Sequence, residues 1–129
     1  MAKTVQEMRN LAIASEMYAR VLTPLDSTDV DRYFPPDYVQ HGSLAEDGRE
    51  ALKRFLDNGR RQYPRFSSTI KRAFVDGDHV IFHVHVVLEP GAPGMAVVDI
   101  FRMADGLLQE HWEVIQPVPE TLPHGNGTF

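Results

Sequence analysis

The chain of 129 residues contains no cysteine, which excludes a disulfide framework, a thiolate nucleophile and a cysteine-based zinc site. It has no apolar run of membrane-spanning length, and its N-terminal segment lacks the apolar core of a signal peptide. Its 18 acidic residues outnumber 13 basic ones, the formal charge is −5, and no basic block is present. These absences predict a cytoplasmic protein that binds neither nucleic acid nor membrane.

Length and composition predict a single domain over residues 1–129. The hydrophobic content of 43% is ordinary for a globular protein. A chain of this length can form one core and enclose one small-molecule cavity. Residues 118–129 are rich in proline and glycine, so we expect them to form an extended C-terminal tail.

The first half of the sequence has the periodicity of amphipathic helices. An apolar stripe over about residues 4–22 predicts a first helix. A shorter second helix follows, with Asp26 or Ser27 as its N-cap. Asp47, followed three residues later by Glu50, has the pattern of a capping box that opens a third helix.

The second half has the alternation of β-strands. Two hairpins are predicted, with turns at Asp76-Gly77 and Asp105-Gly106. Three helices followed by four meandering strands predict an α+β fold. In this fold a cone-shaped, curved antiparallel sheet of about four main strands wraps around the three N-terminal helices and leaves a central pocket.

Polar residues interrupt the apolar strands. Asp99 lies among apolar neighbours and shares a strand face with Phe101. His83 and His85 share one face of the preceding strand, which is otherwise rich in β-branched residues. These positions are candidates for the wall of the pocket.

The last strand carries a second polar group. His111 and Glu113 share one face of this strand, and Trp112 lies on the other. A β-bulge near Asp105-Gly106 would decide which set faces the pocket, because one extra residue reverses the alternation. The sequence leaves both possibilities open.

The sequence resembles the SnoaL-like polyketide cyclase family of the nuclear transport factor 2-like and ketosteroid isomerase superfamily. The resemblance rests on VVDIFRMADGLLQEHWEVIQPVP, residues 97–119, and on DYVQHGSLAEDGREALKRFL, residues 37–56. It extends from Asp37 through Glu120. These motifs are more specific for the family than for a reaction, because fold does not fix function.

The resemblance implies a small-molecule enzyme that works without cofactor or metal. Its chemistry would be proton transfer next to a carbonyl, in an aldol-type cyclisation or an isomerisation. The resemblance points to Asp99 as the general base and to His85 as the residue that orients it or donates to the developing enolate. An aspartate flanked by Val97 and Phe101 is desolvated, which suits a general base.

The resemblance also implies a binding site for a small hydrophobic or polyketide-like molecule. The family motif at the pocket mouth is commonly His-Asn-Pro, whereas this chain has His41-Gly42-Ser43, so the role of the asparagine has no counterpart. His41 is still expected to bind substrate. The other predicted binding residues are Tyr38, Gln40, His83, Phe101, His111, Trp112 and Glu113.

Three alternatives stay open. The superfamily includes noncatalytic ligand carriers and dimerisation modules, and apolar residues on the outer sheet face favour a homodimer. Its epoxide hydrolases activate water with an aspartate on the final strand, and Glu113 holds the corresponding position. A metal ion bound by His83, His85, Asp99 and His111 would compete with metal-free catalysis, but the spacing matches no established metal motif.

Overall fold

The computed structural model describes residues 2–129 and confirms the predicted α+β class. The helices are α1 (Val5–Met17), which continues as a π-helical segment (Tyr18–Leu22), α2 (Val30–Tyr33) and α3 (Arg49–Gln62). The strands are β1 (Val39–Gln40), β2 (Ser67–Asp76), β3 (His79–Val87), β4 (Met95–Ala104) and β5 (Leu107–Pro117).

The strands form one sheet in the order β1-β5-β4-β3-β2. Strands β2 to β5 form the predicted antiparallel meander. The short β1 was not predicted, because two residues carry no periodicity. It runs parallel to β5, where Val39 pairs with Glu110 and Gln40 pairs with His111. This pairing makes β1 an edge strand of the sheet, beside the predicted pocket mouth.

The predicted capping box at the start of α3 is wrong. Gly48, with a φ of +94°, precedes the helix, and no side chain caps it. The Asp47 carboxylate instead accepts a hydrogen bond from the backbone N–H of Gln40 at 2.8 Å. Asp47 therefore holds β1 in place, since a carboxylate can satisfy a strand N–H as well as a helix N–H.

The predicted N-cap of the second helix is also wrong. Asp29 is the residue that precedes α2, and its side chain makes no capping hydrogen bond. The Asp26 carboxylate accepts from the Thr28 backbone N–H at 2.9 Å, and the Ser27 hydroxyl donates to Asp57 at 2.6 Å. Both candidate caps therefore stabilise the preceding loop.

The core lies between the helices and the inner face of the sheet. On β3 the alternation places Val80, Phe82 and Val84 in the core, where they are fully buried. Helix residues such as Met17 and Leu56 pack against them. The inner faces of β3 and β4 are therefore hydrophobic, apart from Asp99.

A bulge after the last hairpin turn settles the orientation of β5. Arg102 pairs with Glu110 but Met103 pairs with Leu108, so Gln109 is the extra residue. The turn itself has positive φ at Asp105 and Gly106, as a type I′ turn requires. Because of the bulge, the set His111 and Glu113 faces inward and Trp112 faces outward.

The C-terminal tail crosses the outer face of the sheet. The Val118 N–H donates to the Gly94 carbonyl at 3.0 Å. The Phe129 ring lies 4.6 Å from the His85 ring and 5.4 Å from the His83 ring. The predicted homodimer stays a prediction. No helix within residues 2–129 has both the length and the apolar character needed to cross a membrane.

Candidate active site

A cavity of about 160 Å³ lies between the helices and the inner face of the sheet. Most of its lining is aliphatic or aromatic. Its polar lining residues come from α1's π-helical extension, from β1 and the residue before it, and from β2, β4 and β5. They are Tyr18, Tyr38, Gln40, Ser68, Asp99, His111 and Glu113.

One chain of hydrogen bonds connects five of these residues. The Tyr18 hydroxyl donates to Asp99 Oδ2 at 2.8 Å, and Asp99 Oδ1 lies 2.8 Å from His111 Nε2. His111 Nδ1 lies 2.7 Å from Gln40 Oε1, and Gln40 Nε2 donates to the Tyr38 hydroxyl at 3.2 Å. Asp99 and His111 are both buried, so the chain is shielded from water.

The Gln40 amide determines how His111 is protonated. The Gly42 backbone N–H donates to Gln40 Oε1 at 2.8 Å, which identifies this atom as the oxygen. His111 Nδ1 therefore carries a proton and donates it to Gln40. One further proton, shared between His111 Nε2 and Asp99 Oδ1, completes the chain. Both oxygens of Asp99 are thus occupied by partners.

Glu113 is a carboxyl group that lines the cavity beside this chain. It pairs across the strands with Asp99. Burial raises the pKa of the Glu113 carboxyl, and the nearby Asp99 carboxylate adds to this effect, while His111 and, more weakly, the nearby Ser43 backbone oppose it. The group is therefore suited to exchanging protons with a ligand.

Gly42 makes room for the Glu113 carboxylate. A Cβ atom at residue 42 would lie 2.7 Å from Glu113 Oε1 and 2.9 Å from Gln40 Oε1, which is too close for either contact. A side chain at residue 42 would therefore displace the Glu113 carboxylate or the Gln40 amide from its present position. Gly42 stands where the family motif His-Asn-Pro has asparagine, so this sequence departs from the motif at the residue beside the Glu113 carboxylate.

The raised pKa of Glu113 predicts a pH-dependent gain in stability for Glu113→Gln. The protonated form stabilises the fold fully below the pKa of an unfolded glutamate, about 4.3. This contribution is lost as the pH rises through the higher pKa of the folded state. Since glutamine does not ionise, we expect the free energy of unfolding of Glu113→Gln to rise relative to wild type as the pH increases, as measured by urea denaturation.

Glu110→Gln provides the matched control with the opposite sign. Hydrogen bonds from His41 and Arg102 lower the pKa of the Glu110 carboxyl. Its stabilising contribution is therefore present above the unfolded-state pKa and is lost as the pH falls. The free energy of unfolding of the wild type should therefore increase relative to that of Glu110→Gln as the pH rises. If the stability differences of Glu113→Gln and Glu110→Gln from wild type changed with pH in the same direction, the raised pKa of Glu113 would be contradicted.

Two tyrosines supply neutral donors. Burial, together with the negative charge of Asp99, raises the pKa of both Tyr18 and Tyr38. Both hydroxyls therefore keep their protons at physiological pH. Tyr18 donates to Asp99, whereas the Tyr38 oxygen accepts from Gln40, so the proton of Tyr38 is available to a ligand.

Six predicted site residues come together in the cavity. They are Tyr38, Gln40, Asp99, Phe101, His111 and Glu113. The Phe101 ring stacks on the His111 ring at 4.6 Å. Tyr18 was not predicted as a site residue, because it belongs to the apolar stripe of the first helix. Tyr18 begins a π-helical turn, a local irregularity that is often found at functional sites.

The predicted pairing of His85 with Asp99 is wrong. His85 points to the outer face of the sheet, where its Nε2 lies 2.8 Å from the Pro93 carbonyl oxygen. His83 is on the same outer face and bonds to Arg72. Both follow the alternation of β3, whose inward positions are the buried valine and phenylalanine residues. Neither histidine lines the cavity.

His41 and Trp112 also lie outside the cavity lining. Their rings stack at 5.0 Å with an interplanar angle of 6°. His41 Nε2 lies 2.6 Å from Glu110 Oε2. The substrate-binding positions predicted for both residues are therefore corrected: they form a cluster on the outer surface, because His41 follows the inward-facing Gln40 by one residue.

The four-residue metal set considered from the sequence does not converge, because His83 and His85 lie on the outer face. A different set does. Asp99, His111 and Glu113 each offer a ligand atom within 4.8 Å of the others. One histidine and two carboxylates are the donors that a divalent transition metal accepts. Without a bound metal ion, the same three side chains can exchange protons with one another or with a ligand.

A cone-shaped α+β fold that encloses an apolar cavity, with acidic and imidazole side chains inside it, is the architecture of the nuclear transport factor 2-like proteins. Within this class, residues 14–111 match the family model of the SnoaL-like domain. The chain belongs to the SnoaL-like family.

Solved structures show the same fold at low sequence identity. A protein described as a SnoaL-like polyketide cyclase, from Jannaschia sp. CCS1, has a TM-score of 0.73 and 15% identity, over 89% of this chain and 90% of that one. One described as a polyketide cyclase, from Acidithiobacillus ferrooxidans, has a TM-score of 0.69 and 18% identity, over 88% and 91%.

A third similar structure has no assigned function. It is a nuclear transport factor 2-like protein from Mesorhizobium loti, with a TM-score of 0.73 and 14% identity, over 89% of this chain and 97% of that one. Other similar structures are described as a hydroxylase and an isomerase. No curated protein matches the sequence.

Proposed function

We propose that the protein is an enzyme that moves protons next to the carbonyl group of a small apolar molecule, in an aldol-type cyclisation or an isomerisation. The observation that carries the proposal is Glu113, a carboxyl group of raised pKa that lines an apolar cavity beside the free hydroxyl proton of Tyr38. A base and a donor on one cavity wall are what enolisation requires.

Glu113 suits the role of base better than Asp99. Each Asp99 oxygen already has a hydrogen-bond partner, Tyr18 for one and His111 for the other, so a proton taken up by Asp99 would remove the negative charge that strengthens these buried bonds. The role of Asp99 as the base stays a prediction. Under the present proposal Asp99 positions His111, whose charge favours ionisation of Glu113.

The proton-transfer step balances within these groups. A C–H bond next to the carbonyl breaks, its proton passes to the Glu113 carboxylate, and its electron pair moves to the carbonyl oxygen. The Tyr38 O–H stabilises the resulting enolate by donating to that oxygen. In a cyclisation the enolate carbon then attacks a second carbonyl, whose oxygen takes the proton back from Glu113. In an isomerisation Glu113 returns the proton to another carbon.

The proposal is tested by proton exchange in 2-tetralone, whose C1 protons lie next to both a carbonyl and an aromatic ring. Wild-type protein in D₂O should exchange these protons faster than buffer of equal pD, as followed by NMR. Binding of 2-tetralone with exchange at the buffer rate would overturn the proposal and support a noncatalytic binding protein.

Tyr38→Phe should slow this exchange by roughly 10- to 100-fold, because a donor to the developing oxyanion is lost. Tyr33→Phe is the matched control. The Tyr33 hydroxyl bonds to Glu16 and does not line the cavity, so its loss should leave the exchange rate unchanged. Equal rates for the two variants would remove Tyr38 from the mechanism.

A further inference from the structure

Ser68 on β2 is a polar residue of the cavity that stands apart from the hydrogen-bond chain. Its hydroxyl lies 3.2 Å from the Thr23 hydroxyl, and either can donate to the other. Two hydroxyls have two protons, and one bond between them uses only one. The pair therefore keeps a proton to donate, and the Ser68 oxygen keeps a lone pair to accept.

The strand register separates Ser68 from Glu113. Ser68 pairs with Val86, which pairs with Met95 on β4, whereas Glu113 pairs with Asp99 on the same strand. The two rows are four residue steps apart along β4, from Met95 to Asp99, which corresponds to roughly 13 Å. The cavity wall between them is apolar. The cavity thus has polar residues at both ends of an apolar wall: Ser68 at one end, and the hydrogen-bond chain with Glu113 at the other.

The charge of the lining restricts what can bind. Within the described residues 2–129, neither lysine nor arginine lines the cavity, whereas Asp99 and Glu113 do. His111 is already paired with Asp99. A ligand carboxylate or phosphate would enter without a cationic partner and next to acidic groups, at a high desolvation cost.

We propose that Ser68, supported by Thr23, is a second binding group for the ligand. The cavity would then take a neutral, elongated apolar molecule with an oxygen atom at each end. The Ser68 end accepts a hydroxyl or a carbonyl. The assignment of the other oxygen as the reacting carbonyl rests on the proposed function, whereas the role of Ser68 does not.

The test uses three probes that share one rigid frame. They are 4-acetylbiphenyl, 4-acetyl-4′-hydroxybiphenyl and 4′-acetylbiphenyl-4-carboxylate, and their dissociation constants are measured by calorimetry near neutral pH. Wild-type protein should bind the hydroxylated probe about tenfold tighter than the parent, the gain expected from one buried hydrogen bond. It should bind the carboxylate at least about tenfold more weakly than the parent.

Ser68→Ala should reduce the preference for the hydroxylated probe to about one, with the affinity for 4-acetylbiphenyl unchanged. Ser67→Ala is the matched control. It removes the same hydroxyl from the adjacent, exposed residue, which does not line the cavity, so the preference should remain. Melting temperatures of both variants check that the fold is intact, and the three probes on wild-type protein test the proposal without any variant.

Three results would overturn the inference: equal affinity of wild type for the parent and hydroxylated probes, a preference that survives in Ser68→Ala, or tighter binding of the carboxylate. Failure of all three probes to bind at millimolar concentration would overturn it as well. Exchange of 2-tetralone at a catalysed rate with no hydroxyl preference would refute the role of Ser68 alone. An intact preference without exchange would refute the proposed function alone.

Discussion

Glu113→Gln is expected to slow the exchange of 2-tetralone protons by roughly 100- to 10,000-fold, the usual contribution of a positioned general base. Glutamine keeps the size of the side chain, but it cannot take up a proton at neutral pH. The affinity for 2-tetralone should therefore change little. A large loss in rate with an unchanged dissociation constant would assign Glu113 to the chemical step.

The pH profile provides a second measure of the same group. The base must be ionised to accept a proton, so kcat/KM should fall as the pH decreases through the raised pKa of Glu113. This fall should disappear in Glu113→Gln. Glu110→Gln on the same strand, which alters a surface pair with His41 and Arg102, should retain the wild-type rate and profile. Wild-type exchange by Glu113→Gln would remove Glu113 as the base.

Asp99→Ala is expected to lower the free energy of unfolding by about 3 to 5 kcal/mol, because it breaks a buried pair and leaves its partner without compensation. His111 loses the acceptor at Nε2, and the Tyr18 hydroxyl loses its acceptor as well. The side chains of Asp99 and His111 are only 7% and 9% exposed, so bulk water compensates poorly for the loss of these bonds. Urea denaturation with the linear extrapolation measures the difference.

A second aspartate–histidine pair in the same protein is the control for this prediction. Asp78 and His79 are 2.7 Å apart, a separation close to that in the buried pair, but their side chains are 59% and 40% exposed. Asp78→Ala should cost less than about 1 kcal/mol, as exposed ion pairs do. Equal losses for Asp78→Ala and Asp99→Ala would show that burial of the Asp99 pair contributes nothing.

Much of the fold was accessible from local sequence patterns. The Asp105-Gly106 turn has the positive φ angles that this dipeptide favours, and the alternation around it predicted both strands. Asp99 was identified as a pocket residue because a carboxylate among apolar strand residues needs buried partners. It has them in Tyr18 and His111.

The parts of the site that escaped prediction depend on contacts distant in sequence. Tyr18 reaches Asp99 across 81 positions in the chain, and the apolar stripe to which Tyr18 belongs does not indicate that contact. The inward position of His111 depends on the one extra residue at Gln109, which the sequence does not mark. His85 was paired with Asp99 by resemblance, although the two residues lie on opposite faces of the sheet.

The stacking of Trp112 on His41 gives the protein an intrinsic fluorescent reporter. Trp112 is the only tryptophan in the chain, so all indole emission comes from this position. Its ring lies between those of His41 and His79, outside the cavity. Emission will therefore follow the docking of β1 and the segment that bears Gly42, and it will change when that edge of the sheet detaches during unfolding.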